Sequence, residues 1–412
     1  MIMKRYVIIG NSTAAAGCIE GIRQSDRDGT VTVISKEPYH IYSRPLISYL
    51  MNGKTDLERM KYRPDDFYQK NRVTTILGQE AAKIDAQNQF VLLENGQGIP
   101  YDELLVATGS RPFIPPMEGI KKVEHPFTFM TLDDAKQLQQ KITPDSRVLI
   151  IGAGLIGLKC AEGILGQVKK ITVVDLSDRI LSSILDVEGS KRVQEHLEEK
   201  GLVFYLSDSV LSFEAGSVAL KSGGTVPFDI LVIAVGVRPN TELVSEAGGE
   251  VNRGIVINSH CKTTLPHVYA AGDCVESFDI TTGQNRVLAL LPNAYLQGET
   301  AGLFMAGNEQ ESLPLFPMNA MGLMGLHMIT AGSYEGEPML IQDGDTYQKL
   351  FIRDGVLKGY ILIGDIKRAG IYTSLIREQT PLDEIEFEQM KLHPQLIALS
   401  KQKRKQVLAQ PH

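Results

Sequence analysis

Cysteine is scarce in this chain of 412 residues. The four cysteines form no CxxC or CxxxxC pair; they are Cys18, Cys160, Cys261 and Cys274. This spacing argues against a disulfide framework, a zinc site or an internal dithiol centre, so we expect no metal site. It also fits a reducing cytoplasm, where thiols stay free.

The chain also lacks a long apolar run and an excess of positive charge. No segment approaches the roughly 20 apolar residues needed to cross a bilayer, and the apolar run in MIMKRYVIIGNS is too short for a signal peptide. The net charge of −7 at pH 7 favours solubility and argues against nucleic acid as the main partner. We therefore expect a cytoplasmic protein that binds neither membrane nor nucleic acid.

Glycine, in contrast, is abundant, with 38 residues. Glycine permits the tight turns that surround bound ligands. The length of the chain exceeds what a single hydrophobic core supports, so we expect two or three domains.

The first glycine turn follows an apolar run near the start of the chain. RYVIIGNSTAAAGCIEGIRQSDRDGTVTVIS predicts a strand, a glycine turn, a helix and a second strand. Gly10, Ser12 and Ala15 occupy the three small-residue positions of the dinucleotide-binding pattern G-x-G-x-x-G/A. Glu37, where the second strand ends, is the candidate carboxylate for the ribose hydroxyls of a nucleotide.

A second stretch repeats this pattern with all three glycines present. RVLIIGAGLIGLKCAEGILGQVKKITVVDL contains Gly152, Gly154 and Gly157, with Ile156 between the last two. Asp175 closes the next strand, near the position where a carboxylate binds the adenosine 2′-hydroxyl. Because a carboxylate there repels a 2′-phosphate, the sequence favours NADH over NADPH.

Three further stretches follow predicted strands. LLVATGSRP (104–112) and LVIAVGVRPN (231–240) are near-copies that end in Arg-Pro, and HVYAAGDCVE (267–276) places Asp273 after a strand and a glycine. A carboxylate there can hold the sugar-alcohol chain of a flavin.

Taken in order, GNSTAA, ATGSRP, GAGLIG, AVGVRPN and AAGD resemble the glutathione-reductase-type flavoprotein superfamily, from residue 3 to about residue 310. Within it, YSRPLIS and the compact carboxyl-terminal region resemble the rubredoxin and ferredoxin reductase branch. The flavin-bearing portion of nitrite reductases and the flavoproteins that accompany carbon monoxide dehydrogenases are similar.

The resemblance implies an α/β fold with two interleaved Rossmann-like, three-layer dinucleotide-binding domains and a small α+β C-terminal domain. The expected boundaries are 1–113 and 244–315 for the FAD-binding domain, 114–243 for the NAD(P)H-binding domain, and 316–412 for the C-terminal domain. In relatives this last domain covers the flavin and contributes to a dimer interface, which allows a homodimer.

The resemblance also implies which residues contact the cofactors FAD and NAD(H). Backbone N–H groups at a helix N-terminus would bind the pyrophosphate of FAD. The residues assigned to FAD are Gly10, Ser12, Ala15, Glu37, Ala81, Thr108, Gly109, Asp273 and Asn293, with Arg44 and Pro45 at the isoalloxazine. The residues assigned to the nicotinamide nucleotide are Gly152, Gly154, Ile156, Gly157 and Asp175, and Gly236 is also assigned to cofactor binding.

Four residues are candidates for the catalytic centre. Arg44 and Pro45 would lie at the flavin. Lys159 stands where relatives commonly carry a glutamate near the nicotinamide, and Glu162, one turn further along, is the candidate to compensate for it.

The segment expected at the flavin contains no cysteine, so electrons must pass directly between the flavin and an outside partner. We expect an FAD-dependent NADH:acceptor oxidoreductase whose partner is a small iron–sulfur protein of the rubredoxin or ferredoxin type. Two alternatives stay open: an NADH oxidase that uses oxygen, and a NAD(H)-linked electron-input or sensing subunit of a larger complex.

The carboxyl-terminal region carries its own pattern. QKLFIRDGVLKGYILIGD predicts a β-hairpin with an Asp-Gly turn at 354–355, followed by a helix at SLIREQ. We expect the basic tail, which carries Lys401, Lys403, Arg404 and Lys405, to be frayed; steering of an acidic redox partner is the alternative.

Overall fold

The structure is a computed structural model that describes residues 3–310, 313–343 and 346–392. Twenty strands and eight α-helices are described up to Met305. The strands are β1 (Arg5–Ile9), β2 (Thr30–Ser35), β3 (Val73–Leu77), β4 (Ala81–Asp85), β5 (Phe90–Leu93), β6 (Gly98–Pro100), β7 (Glu103–Val106), β8 (Ser110–Pro112), β9 (Arg147–Ile151), β10 (Lys170–Val174), β11 (Leu202–Tyr205), β12 (Val210–Glu214), β13 (Ser217–Leu220), β14 (Thr225–Pro227), β15 (Ile230–Ile233), β16 (Val237–Pro239), β17 (Ile255–Val256), β18 (Val268–Ala270), β19 (Val275–Asp279) and β20 (Gln284–Val287). The helices are α1 (Thr13–Ser25), α2 (Ile47–Met51), α3 (Phe67–Lys70), α4 (Leu132–Lys141), α5 (Leu155–Ile164), α6 (Val187–Glu199), α7 (Glu242–Glu246) and α8 (Leu291–Met305), with 3₁₀ helices at Arg44–Leu46 and Ile120–Lys122.

Two parallel sheets repeat one arrangement. The first has the order β18-β7-β1-β2-β3 and the second β11-β10-β9-β15. In each, the strand that ends in a glycine turn lies between the next strand of the chain and a later, parallel return strand. These strands are Val-, Ile- and Leu-rich because a parallel sheet is covered on both faces. Ligands of such sheets bind at the carboxyl ends of the strands, where both glycine turns lie.

Smaller antiparallel sheets accompany the parallel ones. Strands β4-β5-β6 and β12-β13-β14 form three-stranded sheets, and β17, β19 and β20 form another. The near-copies GSRP and GVRP form β8 and β16, which pair antiparallel with Arg111 opposite Arg238. The two repeated motifs therefore meet each other in the fold.

The carboxyl-terminal region folds as an antiparallel sheet with helices. Its elements are β21 (Met318–Leu323), β22 (Leu326–Gly332), β23 (Glu337–Asp343), β24 (Thr346–Arg353), β25 (Val356–Ile363), α9 (Ala369–Glu378), a 3₁₀ helix at Leu382–Glu384 and α10 (Phe387–Leu392). Asp354 (φ 55°) and Gly355 (φ 72°) form the turn between β24 and β25. The predicted hairpin and the helix after it are confirmed; the basic tail lies outside the described residues.

The described part of the chain divides into two compact units. Among these residues, the first unit is formed from 3–183, 197–277, 285–310 and 313, and the second from 184–196, 278–284, 314–343 and 346–392. The predicted fold class is confirmed, whereas the exact domain boundaries stay a prediction. Within the described residues, no helix has both the length and the apolar character that crossing a membrane requires.

Helices α1 and α8 pack unusually closely, and glycines make this possible. A Cβ atom added at Gly17 would lie 2.3 Å from the Tyr295 carbonyl oxygen, and one added at Gly298 would lie 2.0 Å from that of Ala14. Any side chain at these positions would push the two helices apart. This contact fixes α8 against the helix that follows the first glycine turn.

Replacing Gly298 by Ala tests this contact. The added methyl group would overlap backbone atoms, so we expect Gly298→Ala to lower the free energy of unfolding by about 1–3 kcal/mol, as other overpacked cores do. Chemical denaturation followed by circular dichroism measures the change. The control is Gly370→Ala in α9, where a new Cβ meets no heavy atom within 4 Å. It should be neutral or stabilising by up to about 1 kcal/mol, and equal losses in both variants would contradict the packing argument.

Candidate functional site

A cavity of about 1020 Å³ lies beside the first glycine turn. Eight of the residues assigned to FAD line it: Gly10, Ser12, Glu37, Arg44, Ala81, Thr108, Gly109 and Asp273. The lining also includes residues to which sequence reasoning gave no role, among them Asn11, Ser110, Met130, Asp133, Asn240 and Glu242. Side chains distant in the sequence therefore converge on one space.

The glycine turn forms one end of this cavity. Gly10 has φ +113°, and a Cβ there would lie 2.1 Å from the Ala107 carbonyl oxygen, so only glycine fits. Ser12 is the N-cap of α1 and its side chain makes no capping hydrogen bond. The N-terminal N–H groups of this helix can therefore donate to an anion in the cavity. Ala15 is fully buried and lies behind the turn, where its small size lets α1 pack.

A carboxylate and a guanidinium are held together on the wall of the cavity. Glu37 accepts hydrogen bonds from the Tyr42 hydroxyl (2.6 Å) and from Arg44. Arg44 also donates to the Met130 carbonyl oxygen at 3.2 Å. Burial raises the pKa of the Tyr42 phenol, which keeps it protonated and able to donate. The Glu37 carboxylate thus has a fixed orientation and retains lone pairs for ribose hydroxyls.

Asp273 contributes a second carboxylate. Removal from water raises the pKa of this carboxyl group, although the Ser110 hydroxyl (3.2 Å) and the charge of Arg44 oppose the shift. An enclosed carboxyl group with few partners favours a ligand that supplies hydroxyl groups.

The two segments that contain Arg-Pro are hydrogen-bonded to each other at the wall of the cavity. The Thr108 hydroxyl donates to the Asn240 carbonyl oxygen at 2.7 Å, and the Asn240 amide donates to the Thr108 carbonyl oxygen at 2.9 Å. Arg111 donates to the Asn240 side chain at 2.8 Å and pairs with Glu242. Gly236, at φ +112°, accepts a hydrogen bond from the Phe113 N–H through its carbonyl oxygen.

The second glycine turn has the same geometry as the first. Gly152 has φ +111°, and a Cβ there would lie 2.2 Å from the Ala234 carbonyl oxygen; one at Gly157 would lie 2.1 Å from that of Gly152. A Cβ at Gly154 would meet no heavy atom within 4 Å, which leaves space over the start of α5, where Ile156 lies in the first turn. Such a turn fits the pyrophosphate of a nicotinamide dinucleotide.

Asp175 is held at this turn by backbone groups. Its carboxylate accepts hydrogen bonds from the Ala153 N–H at 2.6 Å and the Ser177 N–H at 2.7 Å. Each oxygen keeps a lone pair for a ribose hydroxyl. None of the residues assigned to the nicotinamide nucleotide is among those lining the 1020 Å³ cavity.

The candidate catalytic residues do not all converge. Arg44 lines the cavity, whereas Pro45 lies in the adjoining 3₁₀ helix and is not part of the lining. Lys159 forms an ion pair with the buried Glu162, and its ammonium nitrogen lies 4.2 Å from the centroid of the Tyr49 ring. The ion pair lies within α5, the contact of Lys159 with Tyr49 joins α5 to α2, and none of the three residues lines the cavity. Its role at the nicotinamide stays a prediction.

Asn293, which the resemblance assigns to FAD, is the third residue of α8, which begins at Leu291. Asn293 itself is 5% exposed and is not among the cavity-lining residues, whereas Leu291 and Ala294 are. The N-terminus of α8 therefore lies at the cavity through neighbours of the residue that the sequence singled out.

All four cysteines are free and buried. Burial raises the pKa of each thiol, to about 12 for Cys261. Among the described residues that line the cavity there is no cysteine. Buried neutral thiols of this kind are inert core residues rather than redox groups.

Comparison with known families decides the assignment. The family model described as pyridine nucleotide-disulphide oxidoreductase matches residues 4–298. The chain belongs to this family. A second model, the rubredoxin NAD+ reductase C-terminal domain, matches residues 317–380. As a pyridine nucleotide-disulphide oxidoreductase, the protein is an FAD-dependent NAD(P)H oxidoreductase, and the residues that line the cavity fit FAD.

Individual relatives match over most of the chain. The NADH-dependent phenylglyoxylate dehydrogenase subunit epsilon of Aromatoleum evansii is 30% identical over 391 residues, 92% of each chain. The 3-phenylpropionate/cinnamic acid dioxygenase ferredoxin–NAD(+) reductase component of Photorhabdus laumondii is 31% identical over 370 residues, 88% of this chain and 92% of the relative. The chain spans about half the length of several other curated relatives that it matches.

A solved structure shares the fold. The crystal structure of the covalent putidaredoxin reductase–putidaredoxin complex matches with a TM-score of 0.85 and 23% identity, over 98% of each chain. Because the match covers 98% of the present chain, the likeness includes its carboxyl-terminal sheet.

Removing the Asp273 carboxylate tests the FAD assignment. We expect the dissociation constant for FAD to rise at least about tenfold in Asp273→Ala, so that FAD is lost on purification, since a hydrogen bond to a charged group contributes about 1.5–3 kcal/mol. The absorbance ratio of flavin to protein measures this. The control is Asp102→Ala, which removes a carboxylate paired with Arg5 away from the cavity. Full flavin content in Asp273→Ala would refute the assignment.

Neutralising Asp175 tests how the ribose is read. Asp175→Asn keeps the size of the side chain and one acceptor for the backbone N–H groups but no longer repels a 2′-phosphate. We expect the NADH-to-NADPH ratio of kcat/KM to fall at least about tenfold, on the order of 1.4 kcal/mol. Asp178→Asn, at an exposed carboxylate paired with Arg179, is the control. An unchanged ratio would mean that another residue reads the ribose.

Proposed function

We propose that this oxidoreductase carries electrons between NADH and a small iron–sulfur protein of the rubredoxin or ferredoxin type. The observation that carries the proposal is the absence of any cysteine among the described residues that line the cavity. Without a thiol relay at the site, electrons pass between the cofactor and an external partner directly. FAD, when bound, accepts a hydride as an electron pair and releases electrons singly, which suits a one-electron partner.

Relatives support this choice of partner. One is named a ferredoxin–NAD(+) reductase component and another a rubredoxin-NAD(+) reductase. A solved structure with the same fold is that of a covalent putidaredoxin reductase–putidaredoxin complex. The match of residues 317–380 to the rubredoxin NAD+ reductase C-terminal domain agrees with them.

Each part of the chain has a proposed task. Gly10, Ser12 and the start of α1 would hold the pyrophosphate of FAD, Glu37 its ribose and Asp273 its ribityl chain. Gly152 to Gly157 and Asp175 would bind NADH. Lys159, paired with Glu162, would tune the nicotinamide side. We also propose a cytoplasmic protein, a homodimer and domain boundaries at 113, 243 and 315.

A second candidate function has specific support. The Aromatoleum evansii relative, which matches over 92% of both chains, is a subunit of an NADH-dependent dehydrogenase. The chain could therefore work as the NAD(H)-linked electron-input subunit of a larger complex. An NADH oxidase is the third candidate, since a Methanocaldococcus jannaschii relative carries that name at 30% identity.

A variant without cysteine tests direct transfer from the flavin, and a comparison of acceptors separates the three candidate functions. We replace all four cysteines by Ala, which suits buried small residues. With rubredoxin or ferredoxin as acceptor, we expect the variant to oxidise NADH at a rate within about twofold of that of the parent. With oxygen as acceptor, we expect turnover at least about tenfold slower than with the protein acceptor. Stopped-flow absorbance measures reduction of the flavin by NADH, and acceptor bleaching measures the second step.

The outcomes differ for each function. Fast flavin reduction with no turnover of any small iron–sulfur protein favours the subunit function, and oxygen turnover as fast as protein turnover favours the oxidase. Normal FAD content with no NADH oxidation in the cysteine-free variant would refute direct transfer from the cofactor.

A further inference from the structure

Two tyrosine hydroxyl groups bond two polar side chains of the cavity, Glu37 and Asn11, in the same way. The Tyr42 hydroxyl donates to Glu37 at 2.6 Å and accepts from the Leu132 N–H at 3.0 Å. The Tyr68 hydroxyl donates to the Asn11 side-chain oxygen at 2.8 Å and accepts from the Ile41 N–H at 3.2 Å. In both cases a phenol joins a cavity-lining side chain to a buried backbone N–H.

The first of these networks fixes the charged wall of the cavity. Tyr42 is 9% exposed and Leu132, the first residue of α4, is 3% exposed. Water therefore cannot easily replace the hydrogen bond between the Tyr42 hydroxyl and the Leu132 N–H. Glu37 also receives Arg44, whose guanidinium lies 5.4 Å from the centroid of the Tyr42 ring. Tyr42 therefore limits the orientations of both the carboxylate and the guanidinium.

The second network fixes the glycine turn. Asn11 directly follows Gly10, and its amide also donates to the Tyr39 carbonyl oxygen at 3.1 Å. Both ends of the Asn11 side chain are thus bonded, one to α3 through Tyr68 and one to the segment after β2. The His40 ring packs on Tyr68 with 4.8 Å between ring centroids. This arrangement restrains the turn whose N–H groups would receive a pyrophosphate.

We propose that Tyr42 and Tyr68 are positioning residues for FAD, which preorganise Glu37 and Asn11 before the cofactor binds. Neither tyrosine is among the cavity-lining residues, so each acts through its partner. Side chains that are already ordered lose less conformational freedom on binding, which increases affinity. The inference concerns cofactor affinity and does not depend on which electron acceptor the enzyme uses.

Single Tyr→Phe variants test the proposal, because they remove only the hydroxyl group. FAD affinity is measured by diluting the purified holoenzyme and following the fluorescence of released flavin. We expect the dissociation constant to rise about tenfold in Tyr42→Phe, where the lost bond is to a charged group, and about threefold in Tyr68→Phe, where it is to an amide.

Tyr6→Phe is the matched control. Tyr6 lies in β1, is 1% exposed and donates to Asp26 at 2.8 Å, remote from the cavity lining. It therefore loses an equally buried hydroxyl–carboxylate bond, and its FAD affinity should change less than twofold. Affinity losses in Tyr42→Phe and Tyr68→Phe no greater than in Tyr6→Phe would overturn the proposal.

A double-mutant cycle distinguishes positioning from general weakening of the fold. If Tyr42 acts through Glu37, then Tyr42→Phe should add less than twofold to the affinity loss of Glu37→Ala, which leaves no acceptor for the Tyr42 hydroxyl. Additive losses would overturn the proposed route for Tyr42. Tyr68→Phe combined with Asn11→Ala gives the same test for the second network, so either tyrosine can refute the inference separately.

Discussion

Each of the two parallel sheets depends on one close approach between its glycine turn and the end of a neighbouring strand. At the first turn the Ala107 carbonyl oxygen occupies the place where Gly10 would carry a side chain, and at the second the Ala234 oxygen does the same at Gly152. The return strand can run beside the central strand to its very end only because these positions are glycine. The motifs ATGSRP and AVGVRPN begin at these two alanines. Each motif therefore contacts one of the two glycine turns through its first residue.

The features predicted from sequence were those with local causes. Glycine turns, Val- and Ile-rich strands and the Asp-Gly hairpin each follow from a few adjacent residues and their backbone preferences. The position of Asp175 at the end of β10 has the same kind of local cause, whereas its role at the ribose stays a prediction. The positions of Gly10, Glu37, Thr108 and Asp273 at one cavity followed from the resemblance to a family, whose motif order encodes long-range contacts.

What escaped sequence reasoning rests on partners far apart in the chain. Tyr42 contacts Leu132, and Gly17 contacts Tyr295, yet the local sequence around one residue of each pair does not predict the other. Glycines in α8 predict only a weak helix, because glycine is a poor helix former. Their function is visible once α1 is seen to pack against them. Asn11 escaped for a different reason, since it occupies a position of the glycine motif where the pattern specifies no residue type.

Electrostatics explains why the cavity can bring acidic residues to an anionic cofactor. Glu37 is paired with Arg44, and the same guanidinium acts on Asp273. One cation thus offsets two carboxylates that would otherwise repel each other and the pyrophosphate. Lys159 does the equivalent for Glu162 within α5, where an uncompensated buried carboxylate would be costly. Because Lys159 is already paired, its charge is partly neutralised at its source, and its influence on a nicotinamide would be weaker than the bare substitution of glutamate by lysine suggests. The charge that balances Lys159 therefore lies one turn away on the same helix, at Glu162.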